Sequence, residues 1–316
     1  MIAPRLCLAL GILLPTLLIE RDVRAEPPVP AKRPAEVDKA APEKGEATPK
    51  EDVAPARTER KSLWEAGLGG GVGWTPDYPA AGQNHIRGLG LPFVIYRGEY
   101  FQAGERSLAR GLFVNTDKVE FDLSFAGSLP ADSSDNDARE GLDDLDFLGE
   151  VGPSLSYFID RDEAGNQTRI DLSLRALLST DFSDFDYVGL ILNPVFAQEF
   201  VDVGGIEGLD SNWSIGARWA DNGVMDLFYE VPVSDSNAAA NREVFDADGG
   251  YLGTTLYGAF SYPVTSSFRL ATGGYIASYH GSKNRDSDLF IDEFNVGVLM
   301  GLIWTLWKSE TLSKDR

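Results

Sequence analysis

The chain is poor in the residues that build metal centres, disulfide frameworks and helical membrane anchors. Its 316 residues include 1 Cys and 2 His, too few for a disulfide framework or for a zinc site with four protein ligands. The longest apolar run, residues 6–19, is interrupted by Pro15 and is shorter than the roughly 20 residues of a membrane-spanning helix. These shortages exclude a disulfide-rich domain and a helical membrane protein, and no cofactor is expected.

Basic residues are also scarce. The chain has 28 Lys+Arg against 49 Asp+Glu, which gives a net charge of −21. Such an acidic surface repels phosphate backbones. Nucleic acid is therefore excluded as a partner.

The first 61 residues divide into two segments that contribute no folded core. Arg5 precedes the apolar run, and Val23-Arg24-Ala25 places small residues at the two positions that a signal peptidase reads, so residues 1–25 are predicted to be a secretory signal peptide. Its removal takes away the only cysteine, Cys7, and leaves a thiol-free chain suited to an oxidising compartment. Residues 26–61 hold 7 of the 17 Pro, with eight acidic and eight basic residues, and are predicted to be a disordered tether.

From residue 62 onward, apolar residues recur at every second position. A period of two places them on one face of a β-strand. The segment that begins near residue 63 shows this clearly, since one parity is apolar and the other is small or charged: Trp64, Leu68, Val72 and Trp74 against Glu65, Gly67, Gly69, Gly71 and Gly73. This part of the chain, residues 62–316, carries 17 Lys+Arg and 39 Asp+Glu, a net charge of −22.

The length of these segments favours a membrane barrel over a soluble sandwich, which alternates in the same way. They run for about 10 residues or more, whereas soluble strands usually have about 5 or 6 and membrane strands need about 9 to 11. Trp64 and Trp74 bracket a height of roughly 25 Å, which matches an apolar band between two aromatic girdles. We therefore expect these two residues at the membrane interfaces. Lipid-facing strands must close into a barrel, because open sheet edges do not survive in hydrocarbon.

The predicted fold is all-β: a transmembrane antiparallel up-and-down β-barrel of about twelve strands, preceded by a periplasmic tether. The strands are predicted at 63–74, 86–97, 99–105, 108–116, 118–128, 146–160, 168–180, 187–202, 209–231, 250–262, 265–281 and 290–307. An even number places both termini on the periplasmic side, so the long connections 75–85, 129–145, 181–186, 232–249 and 282–289 fall on the extracellular side. The ninth strand contains Asp221-Asn222-Gly223, which is interpreted as a bulge.

Four stretches resemble the MltA-interacting protein (MipA/OmpV) family of outer-membrane proteins: GVGWTPDYPAAGQ (71–83), GLPFVIYRGEYF (90–101), GLDDLDFLGEVGPSLSY (141–157) and VMDLFYEVPVSDSNAAA (224–240). The resemblance covers roughly residues 62–307. It implies a barrel in the outer membrane of a Gram-negative bacterium. It also implies, for the founding member of the family, a scaffold role that brings a murein-cleaving lytic transglycosylase together with a murein synthase. No catalytic or binding position follows from it.

One acidic loop is a candidate divalent-cation site. Hard cations prefer carboxylate oxygens, and such ions could bridge the loop to lipopolysaccharide phosphates, although the spacing lacks the glycine and terminal glutamate of an EF-hand. A solvated acidic loop explains the same pattern. The candidate ligands are Asp132, Asp135, Asp137, Asp143 and Asp144.

Charged residues on the polar parity of two strands are predicted to line the lumen: Glu120, Asp122, Arg169, Asp171 and Arg175. They could form a cation-leaning polar passage, or pair with one another and fill the barrel, since twelve strands lie between filled and open barrels. The small column of inward glycines leaves room for a passage or for a bulky neighbour. Both alternatives predict the same residue types.

His85 and His280 are the only histidines, and the topology places both at the extracellular rim, within reach of Asp77 or Asp286. A His and carboxylate pair could activate water, but a rim histidine without a pocket is a poor general base.

The leading hypothesis is a non-enzymatic envelope scaffold that contacts outer-membrane lipid and lipopolysaccharide. A small-solute channel is the alternative, and a rim hydrolase is more distant.

Overall fold

The computed structural model describes residues 62–98, 101–103, 110–111, 114–116, 118–181, 183–234 and 242–312. The signal peptide predicted at 1–25 and the tether predicted at 26–61 lie outside the described residues and stay predictions. The strands predicted at 99–105 and 108–116 are described only in part.

In the described ranges, a single antiparallel sheet of 13 strands forms the wall. Ten strands are long: β1 Trp64–Pro76, β2 Asn84–Arg97, β6 Val119–Ser128, β7 Phe147–Arg161, β8 Gln167–Thr180, β9 Phe185–Phe200, β10 Asp210–Ala220, β11 Gly250–Pro263, β12 Phe268–Ser278 and β13 Phe294–Lys308. Three are short: β3 Phe101–Ala103, β4 Arg110–Gly111 and β5 Val114–Asn115. The sheet curls so that the first strand, β1, pairs with the last strand, β13. An all-β antiparallel curled sheet therefore agrees with the sequence.

The strand order begins at β4 and ends at β5. Because every neighbouring pair is antiparallel, β4 and β5 run in the same direction, as two parts of one strand would. Residues 112 and 113 between them lie outside the described part. The predicted count of twelve strands is therefore not confirmed.

The two faces of the wall have opposite chemistry. On β1, Trp64 and Trp74 are 40% and 48% exposed, whereas Glu65 and Thr75 of the other parity are buried. The same alternation continues on β13, where the exposed apolar residues are Phe294, Val296, Val298, Met300, Leu302, Trp304 and Leu306. Large apolar side chains lie outside and charged ones inside, which reverses the arrangement of a water-soluble protein. The outer face is therefore suited to an apolar solvent.

The inward glycines of β1 lie beside the bulkiest inward residues of β2. Gly67, Gly69 and Gly71 pair with Phe93, Leu91 and Leu89 in the register of the two strands. Bulky side chains of β2 therefore lie directly beside the glycine column.

The predicted ninth strand, 209–231, is wrong in its second half. β10 ends at Ala220, and Asn222–Tyr229 form a helix, α1, instead of a bulged strand. Asp221 caps the helix, because its side chain accepts a hydrogen bond from the amide of Val224 at 3.3 Å. The apolar residues that follow lie on one side of a helix rather than on alternate sides of a strand. No helix among the described residues has the length and apolar character needed to cross a membrane.

Candidate functional site: the capped lumen

Four loops cover the end of the sheet that lies opposite the chain termini, and we call them together the cap. They are residues 77–83, 129–146, 221–249 and 279–293, of which 235–241 lie outside the described part. Their buried apolar side chains form one cluster with inward residues of the strands: Tyr78, Ala80, Ala81, Ala131, Leu145, Val224, Met225, Phe228, Tyr229, Val231, Ala247, Tyr279, Leu289 and Phe290 from the loops and helix, and Leu148, Leu177, Ile191, Ala220, Leu252 and Ala277 from the strands. The cap therefore rests on the inside of the wall.

Two glycines allow α1 to lie against the wall. A Cβ atom at Gly189 of β9 would overlap the carboxylate of Asp221, the residue that caps the helix. A Cβ atom at Gly223, in the first turn of α1, would overlap the carbonyl oxygen of Val188. Both contacts involve groups with little freedom to move, so larger residues at these positions would displace the helix from the wall.

Three side-chain hydroxyl groups join loops of the cap to one another. The Tyr229 hydroxyl donates to the carbonyl oxygen of Pro79 at 3.1 Å, and the Tyr78 hydroxyl donates to that of Leu289 at 2.8 Å. The Ser287 hydroxyl donates to the Tyr229 carbonyl at 2.6 Å. Burial raises the pKa of Tyr229 well above its ordinary value, so it stays a neutral donor. Loops that are far apart in sequence are thereby fixed to each other.

Asp77 is the polar anchor at the edge of the cap. Its carboxylate contacts His85 Nδ1 at 2.8 Å, accepts a hydrogen bond from Asn136 Nδ2 at 2.5 Å, and pairs with Arg87. Burial alone raises the pKa of Asp77, but the hydrogen bonds from Arg87, Asn136 and His85 outweigh that effect and lower it below its ordinary value. The carboxylate is therefore an anion that connects β2 to the loop 129–146.

The two histidines have different carboxylate partners. His85 contacts Asp77, as the sequence allowed. His280 lies 3.4 Å from Glu293 rather than beside Asp286, and its side chain is 68% exposed. In this arrangement Asp77 holds a loop, and His280 lies on the open surface.

The acidic loop uses two of its carboxylates to shape its own backbone. Asp132 accepts hydrogen bonds from the amide and hydroxyl of Ser134 at 2.8 and 2.6 Å, and Asp144 accepts one from the amide of Ser133 at 2.7 Å. No group of three or more His, Cys, Asp or Glu side chains placed to hold a metal ion is found among the described residues. The cation site of Asp132, Asp135, Asp137, Asp143 and Asp144 stays a prediction.

At the terminal end of the lumen, near the start of β1, four sets of ion pairs project inward, and we call them the inner charge belt. They are Glu65 with Arg97 at 2.7 Å, Glu120 with Arg161 at 2.9 Å, Arg169 with Asp171 at 2.9 Å and with Glu199, and Asp210 with Arg269 at 3.4 Å. A second group lies nearer the cap, where Glu150 pairs with Arg175 at 3.3 Å and with Arg218.

All five residues predicted to line the lumen lie on the inward parity. Glu120, Arg169, Asp171 and Arg175 take part in the ion pairs above, and Asp122 is two residues along β6 from Glu120. The lumen prediction did not include eight other members of these ion pairs: Glu65, Arg97, Glu150, Arg161, Glu199, Asp210, Arg218 and Arg269. Except for Arg161, which lies beyond the predicted strand 146–160, each is a charged residue on the parity opposite to the apolar one, so the signal was present. The predicted interface residues Trp64 and Trp74 lie on the outward face of β1.

The sequence of this wall and cap matches a protein-family model. The model described as "MltA-interacting protein MipA" matches residues 68–306. The chain belongs to this family. It is an outer-membrane β-barrel protein, and the suspected resemblance is confirmed.

No curated protein matches the chain. Solved structures with some likeness include "NanC porin structure in rhombohedral crystal form", with TM-score 0.36, 10% identity, and coverage of 76% of this chain and 100% of that chain. A "Bacterial polysaccharide outer membrane secretin" gives TM-score 0.38, 11% identity, and coverage of 79% and 100%. The outer membrane protein OprG from Pseudomonas aeruginosa gives TM-score 0.20, 8% identity, and coverage of 78% and 95%.

Proposed function

We propose that this protein is a non-conducting, non-enzymatic outer-membrane barrel that serves as an envelope scaffold. The observation that carries the proposal is the cap, whose buried apolar side chains rest on the inward residues of the six consecutive strands from β7 to β12. Ions do not cross a dry apolar constriction readily. The ion pairs of the lumen add to this support, because paired charges fill space and leave little field for passing solutes.

The scaffold surface is proposed at the terminal end, which faces the periplasm when both termini do. Three described turns lie there, at residues 162–166, 201–209 and 264–267, together with the point from which the predicted tether 26–61 extends. The family description names MltA as the interacting protein, and the resemblance implies that this partner is a lytic transglycosylase. We propose the same class of partner here, with a murein synthase as the second. Outer-membrane lipid and lipopolysaccharide would contact the wall and the cap.

Planar-bilayer recording tests whether the barrel is closed. The purified protein is expected to give no steady unitary currents, and Gly223→Val is expected to give them, because the added side chain overlaps the Val188 carbonyl and displaces α1. Gly90→Val is the matched control, since a Cβ at Gly90 meets nothing within 4 Å, and it should stay silent. Steady currents from the unaltered protein would contradict the proposal.

Crosslinked pull-down from envelopes tests the scaffold role. The full-length protein is expected to capture a lytic transglycosylase and a murein synthase together, and a variant that lacks residues 26–61 is expected to lose at least one of them. If neither enzyme is enriched over an unrelated outer-membrane barrel, the scaffold proposal is wrong.

One observation favours the alternative of a small-solute channel. The side chains of Arg218 and Arg161 lie inside the wall and are 33% and 32% exposed. Water therefore reaches parts of the lumen. The bilayer recording above decides between the two functions.

A rim hydrolase would depend on His85 and His280. If our proposal is right, replacement of both histidines by Ala leaves any hydrolytic activity of the preparation unchanged.

A further inference from the structure

Three turns at the terminal end of the barrel lie side by side, and we call them together the terminal face. They are residues 162–166, 201–209 and 264–267. The Val201 amide donates a hydrogen bond to the Asn166 side chain at 2.9 Å, which joins the first two turns. Gly208 of the second turn lies against Pro263, the residue before the third turn, since a Cβ atom at Gly208 would overlap the Pro263 ring. The terminal face is therefore one continuous surface.

Two branched apolar side chains project from the terminal face. Ile206 is 51% exposed and Val264 is 54% exposed. The bounds of β9 to β12 place both residues beyond the ends of the strands, so neither belongs to the alternating pattern that faces lipid. Apolar side chains that are grouped on an exposed surface with polar residues around them are typical of protein contact sites.

The turn 201–209 holds Ile206 in a fixed position. Four of its residues have positive φ angles: Asp202, Gly204, Gly205 and Gly208. Such angles are easy for glycine but uncommon for aspartate, and the Asp202 side chain supports this backbone by accepting a hydrogen bond from the Gly208 amide at 2.7 Å. The Val203 amide closes the turn by donating to the Leu209 carbonyl at 2.7 Å. A side chain on a rigid turn loses little conformational entropy when a partner binds it.

The terminal face is also acidic. Its three turns carry four acidic residues and no basic ones: Asp162, Glu163, Asp202 and Glu207. Two basic residues border the turns. Arg161 pairs with Glu120 at 2.9 Å, and Lys308 donates to the carbonyl oxygen of Ser266 at 3.2 Å. The two exposed apolar side chains are therefore surrounded by an excess of negative charge.

This charge favours one kind of occupant over three others. A second copy of the chain would bring the same acidic residues, and like charges repel across an interface. An anionic phospholipid surface would be repelled in the same way. The predicted tether 26–61 has eight acidic and eight basic residues, so it offers no net complement. A basic protein surface is the occupant that the terminal face attracts.

We propose that the terminal face is the docking site of the lytic transglycosylase, which contacts it through a basic surface with an apolar recess for Ile206 and Val264. The inference rests on the proposed scaffold function and adds to it the contact residues and the chemistry of the partner's surface. Burial of the two apolar side chains supplies affinity. The acidic residues steer the partner and set its orientation.

Matched variants test the two apolar side chains. The full-length protein is placed in nanodiscs, and the binding of a purified soluble lytic transglycosylase is measured. Ile206→Glu and Val264→Glu are each expected to weaken binding about tenfold or more, as the loss of a central apolar contact does. Ile291→Glu and Val244→Glu are the controls, because these side chains are 51% and 55% exposed but lie in the cap, and they should bind as the parent does.

The outcomes separate this inference from the function on which it rests. If the parent binds and all four variants bind equally well, the docking site is wrong and the scaffold function stands. If the parent does not bind the transglycosylase, the scaffold function fails and the docking site fails with it.

Salt dependence tests the charge of the partner's surface. The affinity of the parent should fall as sodium chloride is raised, because salt screens exposed charges. Glu207→Gln should lower both the affinity and its dependence on salt, whereas Glu243→Gln, an exposed acidic residue of the cap, should change neither. An affinity that is independent of salt would contradict a basic partner.

Photocrosslinking in intact cells identifies the occupant. Benzoylphenylalanine at position 206 is expected to crosslink to the lytic transglycosylase, and the same group at position 291 is not. Crosslinks from position 206 to phospholipid, to a second copy of the chain or to residues 26–61, in place of the transglycosylase, would overturn the proposal.

Discussion

The two ends of the barrel are held together by different kinds of interaction. At the capped end, loops from distant parts of the sequence are joined by a buried apolar cluster and by side chains that donate to backbone carbonyls. At the terminal end, the inner charge belt joins residues whose strands are already fixed by backbone hydrogen bonds. Ion pairs need accurate geometry to offset their desolvation, and strands provide it. Loops lack such a frame, so non-directional apolar burial fixes them instead.

The same comparison explains where the negative charge lies. The loop segments of the cap, together with 181–184, hold 21 of the acidic residues and 4 of the basic ones. The charged residues of the inner belt are instead nearly balanced. The acidic excess is therefore a property of the surface at the capped end, where water solvates it.

The largest effect is expected at the inner charge belt. Arg169→Met leaves Asp171 and Glu199 without their shared cation, and removal of one partner from a buried ion pair costs about 3–5 kcal/mol. Urea unfolding in lipid vesicles measures the loss of folding free energy. The double variant Arg169→Met with Glu199→Gln should recover part of it, since one buried charge is then removed. A single variant as stable as the parent would show that the belt is solvated.

The next effect is expected in the cap. Tyr229→Ala removes a fully buried ring and its hydrogen bond to Pro79, and large-to-small substitutions of this kind cost about 3–5 kcal/mol. The loss should appear as faster amide hydrogen exchange at Ile291, which donates to the Ala80 carbonyl within the cap, and not as loss of the wall. Tyr187→Ala, on the outward face of β9 at 62% exposure, is the control. Equal exchange in both variants would mean that Tyr229 does not hold the cap.

A smaller effect, about 2 kcal/mol for hydrogen bonds to a charged group, is expected at Asp77. Its pKa is lowered in the folded cap, so its contribution is present above the ordinary value of 3.8 and is lost as the pH falls through the lowered value. The protection of amides in the loop 129–146, measured relative to their intrinsic exchange rate at each pH, should therefore fall in acid. Asp77→Asn should show the faster exchange already at neutral pH, with a weaker dependence on acid. An unchanged acid profile would contradict this role.

The smallest effect is expected at the surface of the cap. Arg285 and Glu293 form an ion pair with side chains 46% and 34% exposed, and exposed pairs contribute about 0.2–1 kcal/mol. Arg285→Ala should change the exchange of the loop 279–293 little in low salt and not at all in high salt, because salt screens exposed charges. If Arg285→Ala lowered the free energy of unfolding as much as Arg169→Met, the surface ion pair and the inner charge belt would not differ in strength as proposed.

The wall could be predicted from the sequence, because every second residue of a strand meets one environment. Trp64, Leu68, Val72 and Trp74 are all on the exposed outward face, as their parity required. The cap could not be predicted in this way. Val224, Met225, Phe228 and Tyr229 belong to a short helix whose burial depends on loops and strands far away in sequence.

The ion-pair partners of the charged lumen residues also could not be predicted from the sequence. The inward position of Arg218 follows from its strand, but its partner Glu150 lies 68 residues earlier in the chain. The register that brings them together depends on irregularities such as those at Leu177/Leu178 and Arg218/Trp219. A shift of one residue would turn each side chain to the other face, and no local pattern marks where such shifts occur.

Spin-label accessibility along β9 tests the central claim most directly, that the wall is solvated by lipid outside and by water inside. In a Cys7→Ser background, which has no other cysteine, single labels are placed at outward Leu192 and inward Asn193. We predict that lipid-soluble oxygen relaxes the label at 192 and that a water-soluble nickel chelate relaxes the label at 193. The opposite result, or two labels shielded from both reagents, would mean that the apolar face packs against protein and that the chain is not a membrane barrel.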